Sequence, residues 1–291
     1  MLSRQPRSVA VIGFGAMGTP MAGRLSSHGH AVVAVDPSPE ARSRAAGLGI
    51  QGFADVAAAP RCDLVLVLVE NGTQLLDCVA SAIGARDVAG EVWVLCATVG
   101  PQAARAAAAV LEEAGARVLD APVLGGVHGA DSGSLRFLVG GDGGVLAEVA
   151  DVLGVLGAVA PVGPQPGDGQ ATKIVNQLCS SIHLAAAAEA IALATRLGLD
   201  PSLTAAALRG GSGASQLFDD RSHRMAAPED HPEVLTRLAI LAKDNRLVAA
   251  EAEAHGAHVP LLQAAGRQYA RAAELDLLEA DDSRIIQTYL A

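Results

Sequence analysis

Lysine is rare in this chain, and its two lysines are the first candidates for acid–base chemistry. Only Lys173 and Lys243 are lysines among 21 basic residues, and all the others are arginines. Arginine does not lose its proton at usable pH, whereas a lysine in an apolar pocket can. Hydride transfer to or from a carbonyl carbon also needs a group that exchanges a proton with the oxygen. We therefore predict that Lys173 is a catalytic acid/base.

Two amide side chains share the predicted helical face of Lys173. Asn176 and Gln177 stand three and four residues after it, the spacing that places side chains on one face of a helix. Gly167 and Gly169 leave the backbone exposed where this helix begins. The pattern predicts a polar group in apolar surroundings, in which Lys173 moves a proton and Asn176 or Gln177 orients a substrate.

A glycine-rich turn near the N-terminus predicts a dinucleotide site. The turn follows a strand-like apolar run, opens a helical segment, and has an acid, Asp36, about 20 residues further on. Its glycines permit a tight turn and let backbone N–H groups approach a pyrophosphate at the helix N-terminus. The residues assigned to this part of the cofactor site are Gly13, Phe14, Gly15, Ala16, Met17 and Gly18.

Asp36 also indicates which dinucleotide binds. It ends the second predicted strand, where a carboxylate binds the ribose 2′-hydroxyl and repels a 2′-phosphate. Pro37 follows it, rather than an arginine that would offset its charge, although Arg42 and Arg44 lie further along the next helix. We therefore expect NAD, with NADP as the disfavoured alternative.

The elements that must position these residues fall into two domains. In the first half, apolar runs of strand length alternate with amphipathic stretches, which predicts a parallel sheet covered by helices on both faces. The predicted strands are residues 9–12, 31–35, 64–69, 92–95, 118–119, 136–139 and a stretch near 159. From about residue 164 the chain is predicted to be helical, opening with an unusually long helix. The prediction is a Rossmann-type doubly wound α/β domain over residues 1–163 and an all-α domain over residues 164–291, joined by that helix.

Charge and composition exclude several classes of partner. The net charge is −10 and no basic cluster interrupts it, which argues against nucleic acid or an anionic membrane surface. Glu189 and Arg196 lie in the most apolar long segment, so a buried helix is favoured over a membrane span. The N-terminal segment lacks the pattern of a signal peptide, and four scattered cysteines fit reduced thiols. We expect a cytoplasmic protein whose helical domain packs against another copy, as a homodimer or homotetramer.

Together these segments resemble the β-hydroxyacid dehydrogenase family, which includes 3-hydroxyisobutyrate dehydrogenases and tartronate semialdehyde reductases. The resemblance rests on the glycine-rich turn, on Asp120-Ala121-Pro122-Val123-Leu124-Gly125-Gly126, on the Lys173 segment and on Lys243-Asp244. It implies that Lys173 is the catalytic lysine and that Leu124, Gly125 and Gly126 belong to the substrate loop. It also implies that Thr98 and Lys243 lie near the nicotinamide.

Within that family the chain most resembles the L-threonate dehydrogenase group. Residues 69–74 are similar to that group's loop after the third strand-like run, so Leu68, Val69 and Asn71 are assigned to the cofactor. Residues 182–190 are similar to its interdomain helix, and residues 281–283 to its C-terminal segment. The group suggests a four-carbon sugar acid as substrate.

Two residues depart from the family pattern. Leu124 stands where the family usually has serine, and Ala97 replaces the serine of a Ser-Thr pair, so two hydroxyls are absent. Both changes predict a more apolar pocket. Backbone N–H groups of the substrate loop would still bind an acid group, and Ser215 and His128 are further candidate contacts.

The expected function is the interconversion of a small hydroxy acid and its oxo form, with substrate entering between the two domains. An imine reductase on the same scaffold is the enzymatic alternative, favoured by Leu124 but disfavoured by Lys173, since a cation repels an iminium. A non-catalytic NAD-binding sensor is the alternative from another class. No metal is expected, because Gly256 and Pro260 break the helix that would align His255 with His258.

Overall fold

The computed structural model describes residues 6–230 and 233–291. The prediction that the N-terminal segment is not a signal peptide falls mostly on residues 1–5, which lie outside this range. The chain divides into two compact units, Met1–Lys173 and Ile174–Ala291. The division falls inside one long helix, and the boundary near residue 163 stays a prediction.

The first unit is built on a sheet whose strands form where apolar, β-branched runs occur. Its strands are β1 (Ser8–Ile12), β2 (Ala31–Val35), β3 (Gln51–Phe53), β4 (Leu64–Val67), β5 (Val92–Leu95), β6 (Arg117–Asp120), β7 (Val123–Leu124), β8 (Leu135–Gly141) and β9 (Gly157–Gly163). The strand predicted over residues 64–69 ends two residues early, because the chain turns there towards the next helix. β3 and β7 are too short to show a period, and the sequence did not predict them.

Helices alternate with these strands in the first unit. They are α1 (Gly18–Ser27), α2 (Pro39–Gly47), α3 (Gly72–Ala85), α4 (Pro101–Glu113), α5 (Gly126–Ser132) and α6 (Gly143–Leu156). Polar side chains start several of them: Ser38, Asn71 and Asp142 accept backbone N–H groups at the first turns of α2, α3 and α6. Such caps satisfy donors that have no partner inside the helix.

The sheet has the strand order β3-β2-β1-β4-β5-β6-β8-β7, with β9 beside β8. The strands from β3 to β6 are parallel, but β8 pairs antiparallel with both β6 and β7. The predicted parallel sheet is thus found from β3 to β6, and the antiparallel pairs of β8 make the whole sheet mixed. The connection over residues 125–134 is shorter than the dozen or so residues that a parallel crossover needs.

Both faces of the sheet are buried, as predicted. Along β1, Val9 and Val11 pack into one apolar cluster while Ala10 and Ile12 pack into the other. Trp93 of β5 is fully buried on the second face. The Rossmann-type doubly wound architecture predicted for the first half is thus confirmed.

The second unit is helical, as predicted. The helices are α7 (Asp168–Arg196), whose first turns belong to the first unit, α8 (Pro201–Leu208), α9 (Gln216–Ala226), α10 (Leu238–Ala254), α11 (Pro260–Glu274) and α12 (Gln287–Leu290). Leu184 and Ile191 of α7 pack in one core with Phe218, Leu238 and Tyr269. The long helix predicted to start near residue 169 is confirmed as α7.

Helix α7 is also apolar enough and long enough to cross a membrane, judged by length and composition alone. In its most apolar window 44% of the residues are buried within the protein. The core helix of a globular protein meets the same criterion, so length and composition do not decide between the two settings.

Candidate active site

The glycine-rich turn joins β1 to α1 and is folded tightly against its neighbours. Gly13 has a φ of 90°, and a Cβ placed there would collide with the carbonyl oxygen of Leu68. A Cβ at Gly18 would collide with the carbonyl oxygen of Gly13. The N–H of Gly13 donates to the carbonyl of Val35 at 2.8 Å. Only glycine permits both close approaches, so these two positions fix the shape of the turn.

The same turn leaves space where a dinucleotide would lie. A Cβ added at Gly15 would meet no heavy atom of the described chain within 4 Å. Helix α1 starts at Gly18, and in the described residues no side chain caps it. Uncapped N–H groups at a helix N-terminus attract phosphate. The turn therefore fits the pyrophosphate of a nicotinamide dinucleotide.

Asp36 lies directly after β2 and is tied to the turn. The N–H of Phe14 donates to Asp36 Oδ2 at 2.8 Å, and the N–H of Ser38 donates to Oδ1 at 2.9 Å. Arg42 Nη1 donates to the backbone carbonyls of Asp36 and Pro37 at 2.8 and 2.7 Å. The carboxylate is thus held beside the turn, where it suits a ribose hydroxyl.

The predicted cofactor residues of the first unit share one edge of the sheet. They follow β1, β2, β4 and β5, which are parallel, so the carboxyl ends of these strands meet at that edge. The strand order reverses between β1 and β4, the place where open α/β sheets bind ligands. Along this edge lie residues 13–18, Asp36, residues 68–71 and Thr98.

Asn71 has a structural task at this edge. Its Oδ1 accepts the N–H of Gln74 at 2.9 Å and caps α3, while the N–H of Glu70 donates to Gln74 Oε1 at 2.9 Å. These bonds fix the backbone at residues 70–74, and the N–H of Leu68 donates to the carbonyl of Ile12 in β1 at 2.7 Å. Contact of Leu68, Val69 and Asn71 with a cofactor stays a prediction.

Two buried polar residues that the sequence did not single out as site residues, Asp120 and Gln170, lie between this edge and Lys173. Gln170 Nε2 donates to Asp120 Oδ1 at 2.9 Å, and the backbone N–H of Gln170 donates to Asp120 Oδ2 at 2.7 Å. The N–H of Gly167 also donates to Oδ2, at 2.9 Å. One signal was present, since Asp120 is a charged residue that ends a buried strand. Its partner is 50 residues away in sequence and shows no local pattern.

The Asp120 carboxyl is strongly affected by its surroundings. Burial raises the pKa of Asp120 to about 6, although the hydrogen bonds from Gln170 and Gly167 act to lower it. A buried carboxylate is costly unless donors surround it, and here the donors come from the first turn of α7. Asp120 therefore anchors the helix that carries Lys173.

Lys173 lies one turn after Gln170 on α7. Its side chain is largely buried, with the residue 9% exposed, and Nζ donates to the carbonyl oxygen of Val123 at 3.0 Å. Val123 begins β7 and lies within residues 120–126, the segment that resembles the family's substrate loop. The amine of Lys173 is thus held against that segment.

The predicted substrate loop consists partly of regular secondary structure. Leu124 ends β7, pairs with Arg136 and is half-buried, whereas Gly125 and Gly126 are exposed and start α5. Gly125 has a φ of 115°, which requires glycine, and Gly126 a φ of 59°, in the left-handed region that favours glycine. The turn exposes backbone that begins two residues after Val123, the residue that Lys173 contacts.

In the second unit, four predicted residues form one chain of polar contacts. Asn176 Nδ2 donates to Gln177 Oε1 at 2.8 Å, and Gln177 Nε2 donates to Asp244 Oδ2. Lys243 Nζ lies 3.1 Å from Asp244 Oδ1. The buried Gln177 therefore has contacts at both ends of its amide, which favours a positioning task over direct contact with a substrate. Asn176 is the better candidate for that contact.

Other predicted residues have local tasks. Ser215 Oγ accepts the N–H of Phe218 at 3.1 Å and caps α9, while the carbonyl of Ala97 accepts a bond from Gln170 at 2.8 Å. Within residues 6–230 and 233–291, no three His, Cys, Asp or Glu side chains are grouped as metal ligands would be.

The chain is similar along nearly its whole length to known dehydrogenases. Residues 8–165 match the family model for the NAD binding domain of 6-phosphogluconate dehydrogenase. Residues 167–289 match the one described as NAD-binding of NADP-dependent 3-hydroxyisobutyrate dehydrogenase. An L-threonate dehydrogenase from Cupriavidus necator is 35% identical, with 97% of this chain and 96% of that protein covered.

Solved structures give the same grouping. The 3-hydroxyisobutyrate dehydrogenase of Mycobacterium tuberculosis with L-serine superposes with a TM-score of 0.88 at 30% identity, covering 99% of this chain and 100% of that one. An imine reductase from Streptomyces aurantiacus gives a TM-score of 0.64 at 23% identity, with 96% and 98% covered. That second likeness is one of fold alone.

Proposed function

The chain belongs to the β-hydroxyacid dehydrogenase family of NAD(P)-binding oxidoreductases, and from this we propose that it interconverts a small hydroxy acid and its oxo acid, with Lys173 as acid/base. The observation that carries the proposal is the placement of the Lys173 amine, 3.0 Å from the carbonyl of Val123, which stands two residues before the exposed Gly125–Gly126 backbone. A proton-transfer group thus adjoins backbone donors suited to a carboxylate.

NAD is the proposed cofactor. The turn at residues 13–18 would hold its pyrophosphate, and Asp36 its ribose hydroxyls, since a carboxylate at that place repels a 2′-phosphate. The bound nicotinamide would supply the hydride acceptor in oxidation and the hydride donor in reduction. From the family resemblance, Thr98 and Lys243 are proposed to lie near the nicotinamide.

The chain's own residues would divide the remaining work. Lys173 would take the proton of the substrate hydroxyl in oxidation and return it in reduction. The N–H groups of Gly125 and Gly126 would hold the acid group, and Asn176 would orient the hydroxyl. Gln177 would act through its bonds to Asn176 and Asp244.

The substrate we propose is a short hydroxy acid, either a four-carbon sugar acid such as L-threonate or an acid like 3-hydroxyisobutyrate. The support is the similarity to an L-threonate dehydrogenase and to a 3-hydroxyisobutyrate dehydrogenase. Leu124 and Ala97, where the family has serines, favour the less polar end of this range.

The test is NADH formation with a panel of 2- and 3-hydroxy acids, including both threonate enantiomers, for the wild-type protein and for Lys173→Ala. We expect turnover with one acid or a related pair, and its loss in the variant while NAD still binds. Tight NAD binding with no turnover on any acid or oxo acid would contradict the proposal. Cyclic imines with NADPH would then test the imine reductase alternative. If no imine is reduced either, the alternative that remains is a non-catalytic NAD-binding sensor.

We also propose that the protein is a cytoplasmic homodimer or homotetramer. Leu193, Leu197 and Leu203, at the end of α7 and on α8, are 58, 66 and 72% exposed, and such apolar exposure is typical of a surface that packs against another chain. Light scattering after size exclusion tests the proposal, and a monomer at micromolar concentration would contradict it.

A further inference from the structure

We infer that the Asp120–Gln170 pair is a positioning element that sets the place of the Lys173 amine. The inference rests on the proposed function of Lys173. Asp120 and Gln170 lie in two of the segments that carry the family resemblance, but neither was given a role of its own in the site.

Gln170 uses every hydrogen-bonding position of its side chain. Nε2 donates to Asp120 Oδ1 at 2.9 Å and to the carbonyl of Ala97 at 2.8 Å. Oε1 accepts the N–H groups of Val99 and Gly100 at 3.0 and 3.1 Å. The residue is fully buried, so a satisfied amide of this kind has one orientation. It joins the loop that contains Thr98 to the first turn of α7.

The first turn of α7 packs so closely against the sheet that it cannot shift without a steric clash. A Cβ at Gly169 would lie 2.7 Å from the carbonyl oxygen of Asp120, and one at Gly140 would lie 2.6 Å from that of Gln165. Real Cβ atoms do not come so close to backbone oxygens. Asp120, also fully buried, accepts two backbone N–H groups from this end of the helix. The carboxylate and the close contacts together fix both the depth and the rotation of the first turn.

The Asp120–Gln170 pair determines the position of the Lys173 amine in two ways. It stands three residues after Gln170, on the neighbouring position of the same helical face. Its acceptor, the Val123 carbonyl, stands three residues after Asp120. One pair therefore ties together the two segments whose separation decides where the amine lies. A displacement of about 1 Å between a catalytic group and its substrate lowers the rate by about 100-fold.

The experiment exchanges the amide and the carboxylate. Gln170→Glu places a second carboxylate against Asp120 and removes both donors of the amide. The double variant Asp120→Asn with Gln170→Glu restores an amide-to-carboxylate hydrogen bond and the original charge of the pair, but not the bond to the Ala97 carbonyl. Gln51→Glu, at the exposed start of β3, is the matched control for adding a carboxylate to the same unit.

The chain offers a readout that needs no substrate, because it has only two lysines. The rate at which an amine-acetylating reagent modifies Lys173 is measured by peptide mass spectrometry at pH 8, with Lys243 as internal reference. We expect Gln170→Glu to raise the Lys173-to-Lys243 ratio at least about fivefold, since a buried group reacts when local opening becomes easier. The double variant should reverse most of this rise in the ratio, and Gln51→Glu should leave the ratio unchanged.

Kinetics give the second readout. With the acid that the panel identifies, we expect kcat of Gln170→Glu to fall by about 100-fold, with a smaller change in the Kd for NADH. We expect the double variant to recover most of the loss. A folded Gln170→Glu with wild-type labelling and kcat would overturn the inference. So would a double variant that regains the wild-type melting temperature but not the labelling ratio, because the pair would then be structural only.

If Gln170→Glu does not fold, the double variant and the single variant Asp120→Asn are measured with the same two readouts instead. Absence of turnover in the wild-type protein would contradict the proposed function, whereas the labelling ratios would still decide whether the pair positions Lys173.

Discussion

The ε-amine of Lys173 donates to the carbonyl oxygen of Val123 at 3.0 Å, which ties the second turn of α7 to the strand β7. Because the acceptor is a backbone atom, no substitution at position 123 removes it. Only replacing the lysine itself tests what the amine does. The contact also places the amine at the residue that directly precedes Leu124 and the two exposed glycines.

Replacing Lys173 with arginine or methionine should separate charge from proton transfer. Arginine keeps the positive charge but cannot release a proton, and methionine has neither property. We expect kcat to fall by about 100- to 10,000-fold in both variants, with little change in the Kd for NADH measured by fluorescence. Arg209→Met, which removes an exposed cation, serves as control. A Lys173→Arg protein with a tenth or more of the wild-type kcat would disprove the acid/base assignment.

Substitution by alanine at two glycines of the cofactor turn should affect two different properties, stability at Gly18 and cofactor binding at Gly15. In Gly18→Ala the new methyl meets the carbonyl oxygen of Gly13, so we expect the unfolding free energy to fall by about 1–3 kcal/mol. In Gly15→Ala the methyl points into open space, so stability should be retained while NADH binding weakens. Urea denaturation and fluorescence titration measure the two effects. Equal loss of stability in both variants would mean that Gly15 is not open to a ligand.

Local patterns predicted the first half of this fold well. Continuous apolar runs gave β1, β2 and β5 within a residue, and the glycine turn was placed between β1 and α1 as found. These features depend on neighbours in sequence. The antiparallel edge at β8 depends instead on a connection too short for a crossover, which no hydrophobic period reveals.

The parts of the site that the sequence did not predict depend on contacts between distant residues. Gln170 and Asp120 are 50 residues apart, and nothing near either one indicates the other. Asn71 and Ser215 have residue types that suit ligand contacts, but the structure uses both as helix caps. A cap and a ligand contact require the same polar side chains, so residue type alone does not distinguish them.

Removing the charge of Asp36 should weaken the preference for NAD. In Asp36→Asn the amide no longer repels a 2′-phosphate, and it loses one of the acceptors used by Phe14 and Ser38. We expect the ratio of the Kd values for NADP and NAD to fall by about tenfold or more. The ratio is informative because a general disturbance of the turn affects both cofactors alike. Asp77→Asn, on the exposed part of α3, should leave it unchanged, and an unchanged ratio in Asp36→Asn would contradict the NAD assignment.

The buried pair Asp281 and Asp282 predicts a pH dependence of stability in the second unit. Burial raises the pKa of Asp282 to about 6, despite the nearby Arg221 and Arg224, whereas the pKa of Asp281 is lowered by bonds from Ser283 and Thr236 that outweigh its burial. Because the pKa of Asp282 is raised in the folded protein, its protonated carboxyl stabilises the fold at pH values below 3.8, the usual pKa of the group. This stabilisation is lost as the pH rises through about 6.

In Asp282→Asn that loss should disappear. Between pH 4 and 6.5, the ionisation of Asp282 should lower the unfolding free energy of the wild type by on the order of 2 kcal/mol. We expect this decrease to be absent from the variant. Asp281 titrates below this window, so it does not mask the effect. Urea denaturation across the range measures it, with Asp276→Asn as control, since asparagine suits the positive φ of 56° there. Parallel curves for Asp282→Asn and wild type would show that Asp282 titrates normally.

Leu124→Ser should shift substrate preference towards more hydroxylated acids. Leu124 is half-buried at the end of β7, beside the backbone proposed to bind the acid group. A serine hydroxyl there could bond a polar substrate, whereas leucine packs against an aliphatic one. We expect the ratio of kcat/KM for threonate over 3-hydroxyisobutyrate to rise by about tenfold, the usual discrimination from one pocket contact. Val127→Ser, on the exposed side of α5, controls for the added hydroxyl. A ratio that stays constant, or falls, would place the specificity of this enzyme in residues other than Leu124.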